Sequence, residues 1–236
     1  MSDTHHRRVV LARRPEGIPQ AADFRIESAP IPRPGDGQVL IRNRFLSVEP
    51  AMRGWVNAAA NYSTPVGIGE VMRSFAAGEI IESNHPEWAA GTAVTGMFGW
   101  QEYAAVDPTV IDCRVDEPDL PLSTYLGVLG INGITAHYGL LKIGEPRAGQ
   151  IVAVSTGAGA VGSIVGQIAK LHGCKTIAIT GGETKRSLCL RRFRARWPTR
   201  QPRLAGCAAP TRTTGRRRLF RSAAARNFAA RGYRRL

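Results

Sequence analysis

Three glycines spaced Gly157-x-Gly159-x-x-Gly162 carry the clearest chemistry in this 236-residue chain. Glycine lets a backbone turn sharply and approach a pyrophosphate closely. A helix opening at the same place offers unpaired N–H groups and a partial positive charge to the phosphate oxygens. Gly157, Gly159, Ala160, Val161 and Gly162 are therefore candidate dinucleotide-binding residues. Downstream, Thr180-Gly181-Gly182 stands where an NAD-binding unit places a carboxylate against the ribose 2′-hydroxyl. Without an acidic side chain there, room remains for a 2′-phosphate, and Lys185 offers it a point charge. Gly181 and Lys185 thus point to NADP as the cofactor. Glu183 lies between them and reads as a carboxylate at a helix start rather than a ribose ligand.

These residues need a strand–turn–helix–strand frame, and the flanking sequence predicts one. Ile151-Val152-Ala153-Val154 is a short β-branched run suited to a buried parallel strand. Val161, Ile164, Val165, Ile168 and Ala169 recur at helical spacing, and the pattern stops at Gly173, a natural residue just past a helix end. Thr176-Ile177-Ala178-Ile179 supplies the second strand of a βαβ unit. Gly162 and Gly166, one turn apart, present a bare strip on which the helix can sit close to a sheet.

Upstream, strand-like runs occur at Val39–Val48, Glu79–Ser83, Ala93–Phe98 and Gln101–Val106, separated by glycines and prolines at short intervals. That is the pattern of a small irregular β-domain. From Pro121 the pattern turns helical, through Leu126, Leu129 and Ile131 to Leu141, and Gly144–Gly149 loops into the βαβ unit. No internal repeat is present.

Composition narrows the classes further. No run of about 18 uncharged apolar residues suggests a membrane-spanning helix, and the N-terminus lacks the apolar core of a signal peptide. Cys113, Cys174, Cys189 and Cys207 show neither paired nor close spacing, which argues against a zinc ribbon or a disulfide framework. A reducing cytoplasm is the expected compartment. His5, His6, His85 and His172 show no metal-ligand spacing. The formal charge of +14 is unevenly placed: residues 1–185 carry 16 Lys and Arg against all 18 Asp and Glu, whereas residues 186–236 carry 16 basic residues and no acidic one.

Several motifs in order and spacing resemble a known family. They are Leu46-Ser47-Val48-Glu49-Pro50-Ala51-Met52-Arg53-Gly54, Gly69-Glu70-Val71-Met72, Gly96-Met97-Phe98-Gly99-Trp100-Gln101-Glu102-Tyr103, Gly133-Ile134-Thr135-Ala136 and the long stretch from Gly157 to Lys170. Together, over roughly residues 9–186, they resemble the zinc-independent, NADP-dependent branch of the medium-chain dehydrogenase/reductase superfamily, the prostaglandin reductase and alkenal double-bond reductase group. The resemblance implies an α/β chain: a GroES-like β-rich domain at 1–125 followed by an incomplete Rossmann domain, a doubly wound parallel sheet, at 126–186. It also implies a small-molecule enone or alkenal substrate and hydride transfer from NADPH to the β-carbon of its α,β-unsaturated carbonyl. Intact relatives are often homodimers.

Residue by residue, the resemblance places Thr135 near the nicotinamide end of the cofactor. It leaves the catalytic residue unassigned, because the relatives' Tyr lies in a part of their sequence without a counterpart here. Tyr62 and Tyr103 are candidates to border a substrate pocket, with core or rim packing an equal alternative for each. Ala51 stands where many relatives have a Tyr, and His137 replaces an aromatic usual in its motif. Zinc-dependent relatives hold their metal with a Cys and a His–Glu pair. The corresponding places here read Ser47-Val48-Glu49 and Ile68-Gly69-Glu70, so no metal site is expected, and Glu49 and Glu70 read as capping or salt-bridging carboxylates.

Beyond Arg186 the hydrophobic period dissolves into Arg, Ala, Pro, Thr and Gly. Two origins account for a basic tail at 187–236: an out-of-frame reading of a GC-rich coding region, or a cationic arm that binds nucleic acid or acidic membranes non-specifically, with strong salt dependence. Either way the tail is expected to be largely unstructured. A degenerate, non-catalytic protein is the third alternative.

Overall fold

The computed structural model describes residues 4–59, 63–117, 119–192, 195–198 and 219–220. The chain divides into two compact units, Met1–Leu126 and Gly127–Leu236.

The first unit is built on antiparallel β-structure. Strand β1 (His5–Leu11) pairs with β2 (Phe24–Pro30) in a hairpin. A five-stranded sheet in the order β6-β3-β4-β5-β7 holds β3 (Val39–Leu46), β4 (Ala76–Ser83), β5 (Ala93–Gly96), β6 (Tyr103–Val106) and β7 (Ile111–Arg114). Its buried core is Val39, Ile41, Ala76, Ile80, Val94, Phe98 and Ala104. The middle of β4 must pass very close to β3, because a β-carbon on Gly78 would stand 2.4 Å from the carbonyl oxygen of Arg42. A second cluster gathers Leu11, Val66 and Met72 around Met52, Trp55 and Val56, from and next to the one-turn helix α1 (Met52–Trp55). The expected strands are present, with Val39–Val48, Ala93–Phe98 and Gln101–Val106 trimmed at their ends. The β1–β2 hairpin lies where no strand is expected above, and along it buried and exposed side chains do not alternate regularly.

The second unit opens with α2 (Ile131–His137), which continues directly into a π-helix at Tyr138–Gly144. Gly133 cannot be larger: a β-carbon there would fall 1.6 Å from the Val128 carbonyl oxygen. The helical region expected from Pro121 is thus broken, with a 3₁₀ turn at Leu122–Leu126 ahead of α2. Strand β8 (Ile151–Ser155), helix α3 (Ala160–Leu171) and strand β9 (Lys175–Thr180) form the βαβ unit in parallel register, Val152 opposite Thr176 and Val154 opposite Ala178. Its core joins Ala136 and Leu140 to Val152, Val154, Ile164, Val165, Ala169 and Ala178. Thus α2 and its π-helical extension cover α3 and the sheet through buried aliphatic groups.

Helix α4 (Glu183–Arg192) follows β9. The sheet then gains two short parallel strands from the arginine-rich segment, β10 (Ala195–Pro198) on β9 and β11 (Leu219–Phe220) on β8. The structure departs here from the expectation that helical order ends near Arg186 and that the sheet stops at its second strand. Backbone N–H and C=O groups at a strand edge accept any main chain as a partner, so ladder pairing does not need a hydrophobic period. The resulting order, β10-β9-β8-β11, reads 3-2-1-4 within the sheet, as in the first part of a doubly wound fold. The rest of the tail lies outside the described residues.

Candidate dinucleotide site

In an open parallel sheet, ligands gather beyond the carboxyl ends of the strands, where the strand order reverses. Here that point is the end of β8, between β9 and β11. The turn Thr156–Gly159 leaves β8 and leads into α3, so the Gly157-x-Gly159-x-x-Gly162 motif spans the switch point. The Gly157 N–H donates to the Ile179 carbonyl at 3.1 Å, tying the turn to the end of β9. The stretch Thr180–Gly182, which closes β9 and leaves it, is thereby held at the same edge of the sheet.

The start of α3 has the donor set an anion requires. Gly159 is its N-cap, with no side-chain cap and no acidic residue in the first turn. The first intrahelical bond from the next turn runs from the Ser163 N–H to the Gly159 carbonyl at 2.9 Å. The N–H groups of Ala160, Val161 and Gly162 precede it and have no partner within the helix. Three convergent donors at the positive end of a 12-residue helix, with no carboxylate in its first turn, fit a pyrophosphate.

The turn is braced by an unusual backbone. Thr156 has φ +55°, and it and Glu145 are the only non-glycine residues with positive φ among those described. For a β-branched side chain this left-handed conformation costs about 1–2 kcal/mol. The Thr156 carbonyl accepts from the Gly159 N–H at 2.8 Å. A β-carbon on Gly159 would stand 2.9 Å from the Thr156 Cγ2, and one on Gly162 would stand 2.3 Å from the Thr156 carbonyl oxygen. Two glycines of the motif are therefore required by Thr156. Nothing in the sequence marks Thr156, since a threonine in a turn carries no sign of its φ.

The remaining candidates sit as follows. Gly181 and Lys185 are exposed, Gly181 directly after β9 and Lys185 in the first turn of α4. Glu183 opens α4, where the helix dipole favours a carboxylate. Thr135 is half-buried on α2, beside the buried Ala136. His137 is exposed and meets the Tyr138 ring edge-on, with centroids 5.6 Å apart. In the first unit, the Tyr103 ring lies 5.9 Å from the His6 ring and 5.8 Å from the Arg42 guanidinium carbon, measured to ring centroids. Tyr62 falls outside the described residues.

The two places that hold zinc ligands in metal-dependent relatives are occupied by committed carboxylates. Glu49 Oε1 accepts from the Ser47 hydroxyl at 2.7 Å, and Glu70 Oε2 accepts from the Gly67 N–H at 2.7 Å. The Ser47 carbonyl in turn accepts from Ser74 Oγ at 2.8 Å and from the Trp100 indole N–H at 3.0 Å. Among the described residues, no three His, Cys, Asp or Glu side chains converge as metal ligands do.

A β-rich unit followed by a parallel sheet with a glycine turn at its switch point has the layout of a dinucleotide-binding fold. Residues 7–112 match the family described as the N-terminal domain of oxidoreductase. The chain is 44% identical over 180 residues to the NADPH-dependent curcumin reductase of Escherichia coli (strain K12), a match covering 76% of this chain and 52% of that protein. It is 32% identical over 195 residues to a 2-alkenal reductase (NADP(+)-dependent) of Nicotiana tabacum, covering 81% and 57%. The crystal structure of CurA from Vibrio vulnificus in complex with NADPH superposes with a TM-score of 0.75 at 41% identity, over 83% of this chain and 58% of that one. The chain belongs to the zinc-independent reductase branch of the medium-chain dehydrogenase/reductase superfamily. It spans about half the length of the curated relatives it matches.

Proposed function

We propose that the chain is an NADPH-dependent reductase of C=C bonds conjugated to a carbonyl, acting on small enones or alkenals. The observation that carries this reading is the uncapped, carboxylate-free start of α3, set by glycines at the switch point of a parallel sheet. The chain's own groups divide the work. The N–H groups of Ala160, Val161 and Gly162 hold the pyrophosphate, and Gly157 and Gly159 let the backbone come close to it. Gly181 leaves space for the 2′-phosphate, and Lys185 neutralises part of its charge. Thr135 would border the nicotinamide end, as the family resemblance implies. When bound, NADPH supplies the hydride that saturates the β-carbon, and a proton reaching the α-carbon completes the reduction. A polarised enone suits this chemistry because no metal is needed to activate the carbonyl.

Two features support the reading. Thiolate and imidazole are missing at the zinc positions, and the similar proteins bear NADPH-dependent reductase names. The test is to titrate the purified chain with NADPH, then to follow NADPH oxidation on adding a trans-2-alkenal and, in a separate assay, NADPH formation from NADP⁺ and a primary alcohol. Turnover is expected with the alkenal alone. An alkenal-independent signal, or salt-sensitive RNA binding without NADPH binding, contradicts the proposal and favours the non-catalytic alternatives.

A further inference from the structure

We propose that Thr156 is the positioning residue of the pyrophosphate turn, an inference that rests on the nucleotide reading above. Its left-handed backbone is held from both sides: the following N–H is bonded to Ile179 across the sheet, and its own carbonyl is bonded to the Gly159 N–H. Its methyl group and carbonyl oxygen fill the spaces that β-carbons on Gly159 and Gly162 would need. Thr156 therefore acts as a wedge under the turn. It keeps Gly159 in the extended cap conformation, φ −76° and ψ 171°, from which α3 starts. The donors of Ala160, Val161 and Gly162 are thus aligned before the cofactor arrives, and binding does not have to order them.

The wedge depends on shape and stiffness, and the hydroxyl takes no part in it. Glycine at position 156 adopts the same φ without strain but also many others, so the free turn loses its order. Valine keeps the β-branch and the methyl group and removes the hydroxyl. The experiment compares wild type, Thr156→Gly and Thr156→Val in the full chain. NADPH affinity is measured by nicotinamide fluorescence, and amide hydrogen exchange at 159–162 is measured without cofactor.

Thr156→Gly is expected to weaken NADPH binding by about threefold or more and to speed exchange at these amides, without lowering the thermal midpoint. Thr156→Val is expected to stay within about twofold of wild type in both. If Thr156→Gly matches wild type in affinity and in exchange, Thr156 positions nothing. If Thr156→Val is as weak as Thr156→Gly, the hydroxyl contacts the cofactor and the wedge is wrong. A wild-type chain that binds no NADPH removes the nucleotide reading instead, and the exchange comparison then decides on Thr156 alone.

Discussion

The carbonyl oxygen of Thr156 lies 2.3 Å from where a β-carbon on Gly162 would stand. The third glycine of the motif is therefore fixed by a backbone atom of the turn that precedes the helix. A backbone carbonyl cannot rotate aside as a side chain can. Gly162→Ala is expected to destabilise the second unit by about 1–3 kcal/mol, in the range of overpacked sites, and to displace the start of α3. Urea denaturation followed by far-UV circular dichroism checks the first, and loss of NADPH fluorescence enhancement checks the second.

His6 gives the first unit a pH dependence near neutrality. Its ring is buried, and its Nδ1 accepts from the Tyr103 N–H at 3.3 Å. Burial holds its pKa below the usual value of 6.5, against the opposing pull of Glu102. The folded state thus binds fewer protons than the unfolded one, so stability is complete above the unfolded pKa and declines as pH falls below it. His6→Asn keeps an acceptor near the Nδ1 position and removes the charge. The wild-type urea midpoint is expected to fall between pH 7.5 and 5.5, and His6→Asn to flatten that slope.

Glu102 acts at lower pH with the same sign. It accepts from the Arg7 backbone N–H at 2.7 Å and from the Arg7 guanidinium at 2.9 and 2.7 Å. These bonds, the backbone one foremost, hold its carboxyl below the usual range. Its contribution is present above the unfolded carboxylate pKa and is lost as pH falls through the folded one. The pair is exposed, so Glu102→Gln is expected to cost no more than about 1 kcal/mol at pH 7 and less at acid pH. Denaturation midpoints at pH 7 and pH 3 test the difference.

Much of this was legible in the sequence because a parallel βαβ unit is a local pattern. Val161 to Ala169 recur at helical spacing, Gly173 ends the run with φ +73°, and the β-branched runs on either side become β8 and β9. The hairpin was not legible in β1, where His5-His6-Arg7-Arg8 has no alternation, whereas Phe24-Arg25-Ile26-Glu27 in β2 does alternate but leaves Ile26 exposed, with Arg7, Arg8 and Arg25 in ion pairs. Nor was the conversion of α2 into a π-helix at Tyr138, because the two helix types share nearly the same apolar spacing. At the site, the glycines and Lys185 were readable as residue types. What holds the glycines in place was not, because it depends on one backbone angle at Thr156.

Metal removal is expected to distinguish this chain from zinc-dependent dehydrogenases. Ser47 offers a hydroxyl where a thiolate would bind, and Glu49 and Glu70 are already hydrogen-bonded. Dialysis against a strong zinc chelator is expected to leave both the thermal midpoint and the NADPH affinity unchanged. A drop in either that added zinc restores would show a metal in the fold.

The most direct measurement is a paired titration of the full chain with NADPH and NADH, repeated on Lys185→Glu. NADPH is expected to bind at least tenfold more tightly than NADH, and Lys185→Glu to remove most of that preference while leaving NADH binding little changed. Equal affinity for the two nucleotides, or a preference that Lys185→Glu does not touch, would contradict the assignment of Gly181 and Lys185 to the 2′-phosphate.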